Sequence, residues 1–145
     1  MVNLETKLTG DITEGLDRFA KKVQNQIALS GVAAMAGVIY DEVKLNTSGA
    51  RKTGPGSPPG TLTGNLDASI YRVYAKDKSG DQGQVYRVSW RHTGSAKGGG
   101  NHGHLLEFGT IRAPAYPFLR PALSKINDAI RAGQDRMRAR LSDAG

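Results

Sequence analysis

The chain has 145 residues, no cysteine and a formal net charge of +7, with 38% hydrophobic and 23% charged residues. This length suits one hydrophobic core and is too short for two, so we expect a single domain over residues 1–145. Disulfides and thiol chemistry are excluded. The N-terminus lacks the layout of a signal peptide, and the longest apolar run, residues 27–40, is shorter than the roughly 20 residues of a membrane span, so we expect neither secretion nor membrane association.

The positive charge raises nucleic acid or an acidic protein surface as a partner. No run of five or more basic residues occurs, and no helix-turn-helix, zinc-finger or RNA-binding signature is present. The residues that could face DNA or an acidic neighbour are Arg51, Lys52, Arg131, Arg136, Arg138 and Arg140. For any single one of them, an arginine or lysine that merely solvates the surface is the simpler explanation.

The first predicted element is a long helix that begins at Asp11, which can cap it with Glu14 three residues later. Its first half carries one apolar stripe, made of Ile12, Leu16, Phe19, Val23 and Ile27. Its second half, which includes Val32, Met35 and Ile39, is apolar nearly all round and needs more than one partner. One partner is the domain's own sheet; the second is either the C-terminal helix or a neighbouring subunit. We expect the helix to end before Asn46.

Two glycine-rich tracts, at about 46–61 and 93–103, are predicted to be flexible loops. Between them, segments 69–76 and 84–91 alternate apolar and polar residues, and 79–83 has turn composition. The connection is too short for a parallel crossover, so the two strands should pair antiparallel. A hairpin alone is marginal, and a third strand is expected around 115–119.

The last predicted element is an amphipathic helix that starts at Pro121, a position where proline loses no helical hydrogen bond. Its apolar positions recur at intervals of three, four and seven: Ala122, Leu123, Ile126, Ile130, Met137 and Leu141. The fold class is therefore α+β, with a long N-terminal helix, a small mainly antiparallel sheet and a C-terminal helix beside it.

We expect no enzymatic activity, metal or cofactor. The glycine-rich tract at 93–103 lacks the Gly-Lys-Ser/Thr that opens a phosphate-binding helix, and there is no Gly-x-Ser-x-Gly elbow. His102, His104 and Glu107 could ligate zinc, but their spacing is not that of a known zinc motif. Glu107 is the only acid between Asp81 and Asp128, so it more simply accepts backbone hydrogen bonds or pairs with an arginine such as Arg120, in its own chain or across a subunit boundary.

Two motifs carry a resemblance to a known family. Residues 107–110 read Glu-Phe-Gly-Thr and residues 117–123 read Pro-Phe-Leu-Arg-Pro-Ala-Leu; residues 63–70 read Thr-Gly-Asn-Leu-Asp-Ala-Ser-Ile. In the chain, the motif at 63–70 comes first and the motif at 107–123 second, and both lie between an N-terminal and a C-terminal helix. In this arrangement they resemble the tailed-phage neck and tail-component family, whose members are also called head–tail joining or tail-completion proteins. The resemblance covers nearly the whole chain.

The resemblance implies a structural virion protein of a tailed phage or prophage, made in the bacterial host cytoplasm and placed at the neck. It implies a homo-oligomeric, six-fold ring that joins the tail tube to portal-side proteins around a channel for DNA. The expected subunit-interface residues are Glu107, Phe108, Gly109, Thr110, Pro117, Phe118, Arg120, Val32, Met35 and Ile39. The alternative is a free-standing basic DNA-binding protein.

Overall fold

The computed structural model describes residues 4–47, 65–80, 83–92, 102–112 and 114–144. The helices are α1 (Leu4–Thr47), α2 (Asn65–Ser69), α3 (Gly103–Phe108) and α4 (Ile126–Ala144), and the strands are β1 (Ile70–Tyr74) and β2 (Tyr86–Trp90). Short 3-10 helices span Lys76–Lys78 and Arg120–Lys125. The predicted α+β class, with a helix at each end of a small antiparallel sheet, is confirmed.

Helix α1 is longer at both ends than the sequence predicted. It begins at Leu4, so Asp11 lies inside the helix and is not its cap. At the other end it continues through Asn46 to Thr47, where the side chains of both residues form hydrogen bonds. The Asn46 amide donates to the Phe118 carbonyl at 3.0 Å. The Thr47 hydroxyl lies 3.0 Å from an Asp67 carboxylate oxygen and 3.1 Å from the Val43 carbonyl, which ties the last turn to α2.

Strands β1 and β2 form the predicted antiparallel hairpin, in register from Ile70 opposite Trp90 to Tyr74 opposite Tyr86. Both strands are shorter than predicted, although one further backbone hydrogen bond extends the ladder at each end. Ile70, Val88 and Trp90 all belong to the core. Val88 and Trp90, two residues apart, therefore lie on the face of β2 that packs against the core.

The third strand predicted around 115–119 is wrong: within the described ranges, the sheet has two strands. Pro117 has no N–H group to give to a sheet. The Tyr116 N–H donates to the Leu106 carbonyl at 2.7 Å. The Phe118 and Leu119 N–H groups donate to the carboxylate of Glu107 instead of to a strand. This segment is an irregular link whose donors serve α3.

Helices α1 and α4 meet at two glycines. A Cβ on Gly31 would lie 2.5 Å from Met137 Cγ, and one on Gly133 would lie 2.5 Å from Met35 Cγ. The Cβ position on Gly31 lies 3.2 Å from the Gly133 carbonyl oxygen, and the one on Gly133 lies 3.1 Å from the Gly31 carbonyl oxygen. The two backbones therefore approach as closely as only glycine permits, and each methionine covers the opposite glycine.

The C-terminal helix differs from the prediction in its start and in the face it buries. Arg120–Lys125, with Pro121 in its first turn, is 3-10 helix, and α-helix begins only at Ile126. The predicted apolar stripe is largely exposed, at Leu123, Ile126, Ile130 and Leu141. The buried face carries small residues instead, namely Ala122, Ala129 and Gly133, because α1 packs too close for large ones.

The core lies at the C-terminal end of α1. Val43, Ile70, Phe118 and Ala122 form its buried centre. The Trp90 ring packs edge-on against Phe118, with ring centroids 5.4 Å apart. Ile70 is the last residue of the motif at 63–70, and Phe118 and Ala122 belong to the motif at 117–123. Both motifs therefore meet in one core.

The two predicted loops fall mostly outside the described residues, at 48–61 and 93–101. Where they are described, the loop prediction is wrong. Asn46 and Thr47 belong to α1. Gly103 opens α3 and is buried, and a Cβ there would lie 2.5 Å from Trp90 Nε1.

Candidate functional site

The most specific local structure surrounds Glu107, near the end of α3. The helix Gly103–Phe108 stops at Gly109, whose φ of 77° and ψ of 178° are open only to glycine. The Gly109 N–H closes the last turn by donating to the Leu105 carbonyl at 2.8 Å. Glu107 is thereby turned inward and is only 2% exposed, although its neighbours Leu105 and Phe108 are exposed.

The Glu107 carboxylate accepts hydrogen bonds at the start of the 3-10 helix Arg120–Lys125. It accepts the N–H groups of Phe118 at 2.7 Å, Leu119 at 3.0 Å and Arg120 at 3.1 Å. The first N–H groups of a helix have no partner within it, and a carboxylate there satisfies them and interacts favourably with the helix dipole. The prediction that Glu107 accepts backbone hydrogen bonds is confirmed, within its own chain.

Electrostatics at Glu107 favour the ionised form. Burial alone raises the pKa of Glu107, but the hydrogen bonds from the N–H groups of Leu119, Phe118 and Arg120 and from the Arg120 side chain outweigh it. The pKa therefore lies below its ordinary value of 4.5. A group that stays charged while buried serves as a structural anchor rather than as a proton donor near neutral pH.

Arg120 completes the arrangement from the surface. The sequence left open whether it pairs with Glu107 within the chain or across a subunit boundary, and the two residues pair within the chain. The Arg120 Nε donates to the Glu107 carboxylate at 3.2 Å, and its NH2 group donates to the Glu107 carbonyl at 2.6 Å. Its guanidinium also lies over the Phe108 ring, 5.2 Å from the centroid. Phe108 is thus held in an outward position by a cation–π contact while remaining 69% exposed.

The result is an exposed apolar surface at the end of α3, which we call the Phe108 surface and define as Leu105, Phe108, Ile111 and Arg120. Ile111 is fully exposed, and Leu105 is exposed as well. Leu105 and Phe108 stand three residues apart on α3 and are therefore neighbours on the helix surface. Exposed apolar side chains that adjoin each other are typical of a protein contact surface.

The predicted interface residues lie in three different environments. Phe108, Thr110, Pro117 and Arg120 are exposed, and Gly109 is half-buried beside them. Glu107 and Phe118 are buried in the chain's own interior. Val32, Met35 and Ile39 are half-buried. Met35 lies against Gly133 and Ile39 against the core, so part of each already serves the fold.

Of the residues predicted to face DNA or an acidic partner, Arg51 and Lys52 lie outside the described residues. Arg131, Arg136, Arg138 and Arg140 are all exposed on α4. Arg138 forms an ion pair with Asp135 at 3.5 Å, one turn away on the same helix. The exposure of these four arginines permits contact with a polyanion.

Sequence reasoning missed one surface. Ile12, Leu16 and Phe19, assigned to the predicted stripe of the first helix, are 54%, 61% and 66% exposed. The stripe itself was visible in the sequence. What the sequence did not reveal is that, among the described residues, the core lies at the other end of α1 and these three side chains stay exposed.

The histidines beside Glu107 do not assemble a metal site. Glu107 gives its carboxylate oxygens to N–H donors, while His102 and His104 are exposed. Throughout the described ranges, no three His, Cys, Asp or Glu side chains gather in a way that could hold an ion. In the same ranges, no helix is both long and apolar enough to cross a membrane.

Comparison of the chain with protein-family models, with curated proteins and with solved structures finds no match.

Proposed function

We propose that this protein is a structural subunit of a tailed-phage or prophage neck, which forms a closed homo-oligomeric ring at the head–tail junction. The motif resemblance indicates the family. The observation that carries the proposal is the Phe108 surface, whose large apolar side chains are exposed and whose Phe108 ring lies beneath the Arg120 guanidinium. A protein that works alone gains nothing from keeping such a surface in water.

The balance between buried and exposed apolar residues supports the proposal. Among the described residues, Val43 is the only large side chain that is fully buried. The exposed large apolar residues of the same ranges include Phe19, Phe108, Ile111, Leu123 and Leu141. Apolar surface of this extent acquires a favourable partner when copies of the chain associate.

A closed ring requires heterologous contacts, in which two different surfaces meet. We assign the Phe108 surface, with Thr110 and Pro117, to one side of the subunit. The exposed parts of Val32, Met35 and Ile39 on α1 supply the other. Because each surface lies at a different place on the chain, the contact can repeat from copy to copy until it closes. The exposed arginines of α4 are then available to line a passage for DNA or to meet an acidic neighbour.

Substitution of Phe108 tests the ring. We expect Phe108→Asp to abolish closed oligomers of the protein incubated with its head-side and tail-side neighbours, because it places a charge in the contact. Negative-stain imaging measures the ring, and circular dichroism checks that the chain stays folded. Leu141→Asp makes the same change at an exposed position on α4 and should leave the ring intact. Rings of unchanged yield in Phe108→Asp, or no closed particle from the unaltered chain, would contradict the proposal.

Salt dependence separates the ring from the alternative of a free-standing DNA-binding protein. A DNA binder that neutralises several phosphates loses affinity steeply with salt. We expect the ring contact, which is mainly apolar, to persist between 50 and 200 mM salt, a range over which phosphate contacts weaken by orders of magnitude. Duplex binding that disappears over this range without any oligomer would favour the alternative.

A further inference from the structure

The hairpin formed by β1 and β2 has one face turned away from the core. Ile70, Val88 and Trp90 pack in or against the core, and successive side chains on a strand point to opposite faces. The side chains between them therefore point outward, and Val73 among them is 46% exposed. We call this set the outer hairpin face and define it as Tyr71, Val73, Arg87, Ser89 and Arg91.

The strands of the hairpin carry bases and no acid. Segment 69–92 contains five bases and two acids, and five minus two gives a net charge of +3, nearly half of the +7 of the whole chain. The two acids, Asp77 and Asp81, lie between the strands in the sequence. The three arginines on or directly after the strands form no ion pair with any carboxylate of the described residues; they are Arg72, Arg87 and Arg91.

Two of these arginines lie over aromatic rings. The Arg91 guanidinium is 5.7 Å from the centroid of the Tyr71 ring. The Arg72 guanidinium is 5.7 Å from the centroid of the Tyr40 ring. A cation–π contact restrains a long side chain without using its N–H donors. Both guanidinium groups therefore keep donors for an acceptor such as a phosphate oxygen, and less side-chain freedom is lost when that acceptor binds.

A shallow depression of about 530 Å³ lies beside the outer hairpin face. This volume is within the usual range for small-ligand sites, roughly 300–1,000 Å³. The rings of Trp90 and His92 lie 5.1 Å apart within it. The lining combines aromatic rings with two guanidinium groups and contains no carboxylate; its residues are Tyr71, Arg72, Val73, Trp90, Arg91 and His92.

This combination fits one class of polyanion better than others. Unstacked nucleobases bind against aromatic rings and guanidinium planes, while arginine and serine side chains donate to the phosphates. A base inside a duplex is paired and stacked, so it cannot enter a depression without being turned out of the helix. A single strand has bases free to enter. An acidic peptide matches the positive charge but leaves the aromatic lining without a partner.

We propose that the outer hairpin face and its depression bind single-stranded nucleic acid, with a base in the depression and neighbouring phosphates on Arg87 and Arg91. These two arginines stand four residues apart, or about 13 Å along the strand direction. The surface shares no residue with the Phe108 surface or with the part of α1 assigned to the ring. The inference thus goes beyond the proposed function and does not depend on it.

Fluorescence anisotropy with labelled oligonucleotides tests the site. The probes are a twelve-nucleotide oligothymidylate, an oligouridylate of the same length and a twelve-base-pair DNA duplex. We expect at least one single strand to bind about tenfold or more tightly than the duplex, and the two single-strand arms tell DNA from RNA. Equal or tighter binding of the duplex, or no binding of either single strand, would overturn the inference.

Two substitutions assign the binding to the hairpin. Tyr71→Leu removes a ring from the depression and should weaken binding about 5- to 150-fold, the usual effect of losing one base–aromatic contact. Arg91→Gln removes one phosphate partner, so the slope of log K against log salt should become less steep by about 0.7. Arg112→Gln makes the same charge change at another exposed arginine and should leave affinity and slope unchanged. Circular dichroism checks that each variant is folded.

Competition and a ring variant complete the test. Unlabelled single strand should displace the probe far better than polyglutamate at equal charge; equal displacement would show an acidic-protein surface and overturn the inference. Unchanged binding in both Tyr71→Leu and Arg91→Gln would also overturn it. Phe108→Asp should bind the single strand like the unaltered chain, because the two surfaces share no residue. Absence of rings while this binding persists refutes the proposed function only.

Discussion

Replacing Glu107 with alanine is expected to lower the free energy of unfolding by about 1 to 3 kcal/mol, the usual cost of leaving buried hydrogen-bond donors without an acceptor. The N–H groups of Phe118, Leu119 and Arg120 lose their shared acceptor. The Arg120 guanidinium loses its ionic partner at the same time. Urea denaturation followed by circular dichroism measures the change.

Two further variants identify the cause of this effect. Glu107→Gln keeps one carbonyl acceptor but loses the charge, so it should lie between alanine and the unaltered chain. Glu14→Ala removes a glutamate that pairs with Arg18 at 3.4 Å on the protein surface, and it should leave the unfolding midpoint unchanged. Equal effects of Glu107→Ala and Glu14→Ala would show that the buried carboxylate does not anchor the fold.

The same carboxylate makes stability depend on pH. The pKa of Glu107 in the folded chain lies below its ordinary value of 4.5, so the unfolded chain binds a proton more readily than the folded one. The stabilisation is complete above the unfolded pKa and is lost as the pH falls through the folded pKa. The free energy of unfolding should therefore fall below about pH 4.5 more steeply in the unaltered chain than in Glu107→Gln. Parallel curves would contradict the assignment.

Gly133→Ala is expected to cost about 1 to 3 kcal/mol of stability, the usual range for overpacking. The new Cβ would lie 2.5 Å from Met35 Cγ and 3.1 Å from the Gly31 carbonyl oxygen, so α1 and α4 must move apart. Alanine in place of glycine inside a helix otherwise stabilises by up to about 1 kcal/mol. Gly15→Ala supplies this control, since nothing lies within 4 Å of its Cβ position. The two substitutions should have opposite signs.

A double-mutant cycle identifies the contact responsible. Met35→Ala removes the side chain that a Cβ at Gly133 meets, so it should cost less in the Gly133→Ala background than in the unaltered chain. A coupling above about 0.5 kcal/mol is expected for residues in contact. Strict additivity of the two changes, or a stabilising Gly133→Ala, would show that the helices do not cross at the glycines.

The sequence predicted what depends on local chemistry. The alternation in segments 69–76 and 84–91 predicted the two strands of the antiparallel hairpin, since side chains on a strand point to opposite sides in turn. Glu107 stood out as the lone acid in an apolar run, and a buried carboxylate must find donors. Its pairing with Arg120 was predicted for the same reason.

The rest depends on how distant segments meet. Residues 115–119 have strand-like composition, but their N–H groups are taken by α3 and by Glu107. The apolar stripe of the last helix looked like its buried face, yet the close crossing at Gly31 and Gly133 buries alanine and glycine instead. No local pattern in the sequence reveals that Ile12, Leu16 and Phe19 stay exposed while the core forms near Val43, because this depends on where the other segments pack along α1.

The position of the core at one end of α1 has a consequence for local opening of this helix. Amides near Val43 can exchange with solvent only when the whole domain unfolds, whereas those near Leu16 need only a few turns to unwind. A helical segment of about 12 residues on its own is marginal in water. One continuous helix should therefore display a gradient of hydrogen-exchange protection, steep in dilute solution and flattened wherever a second molecule lies along the exposed turns.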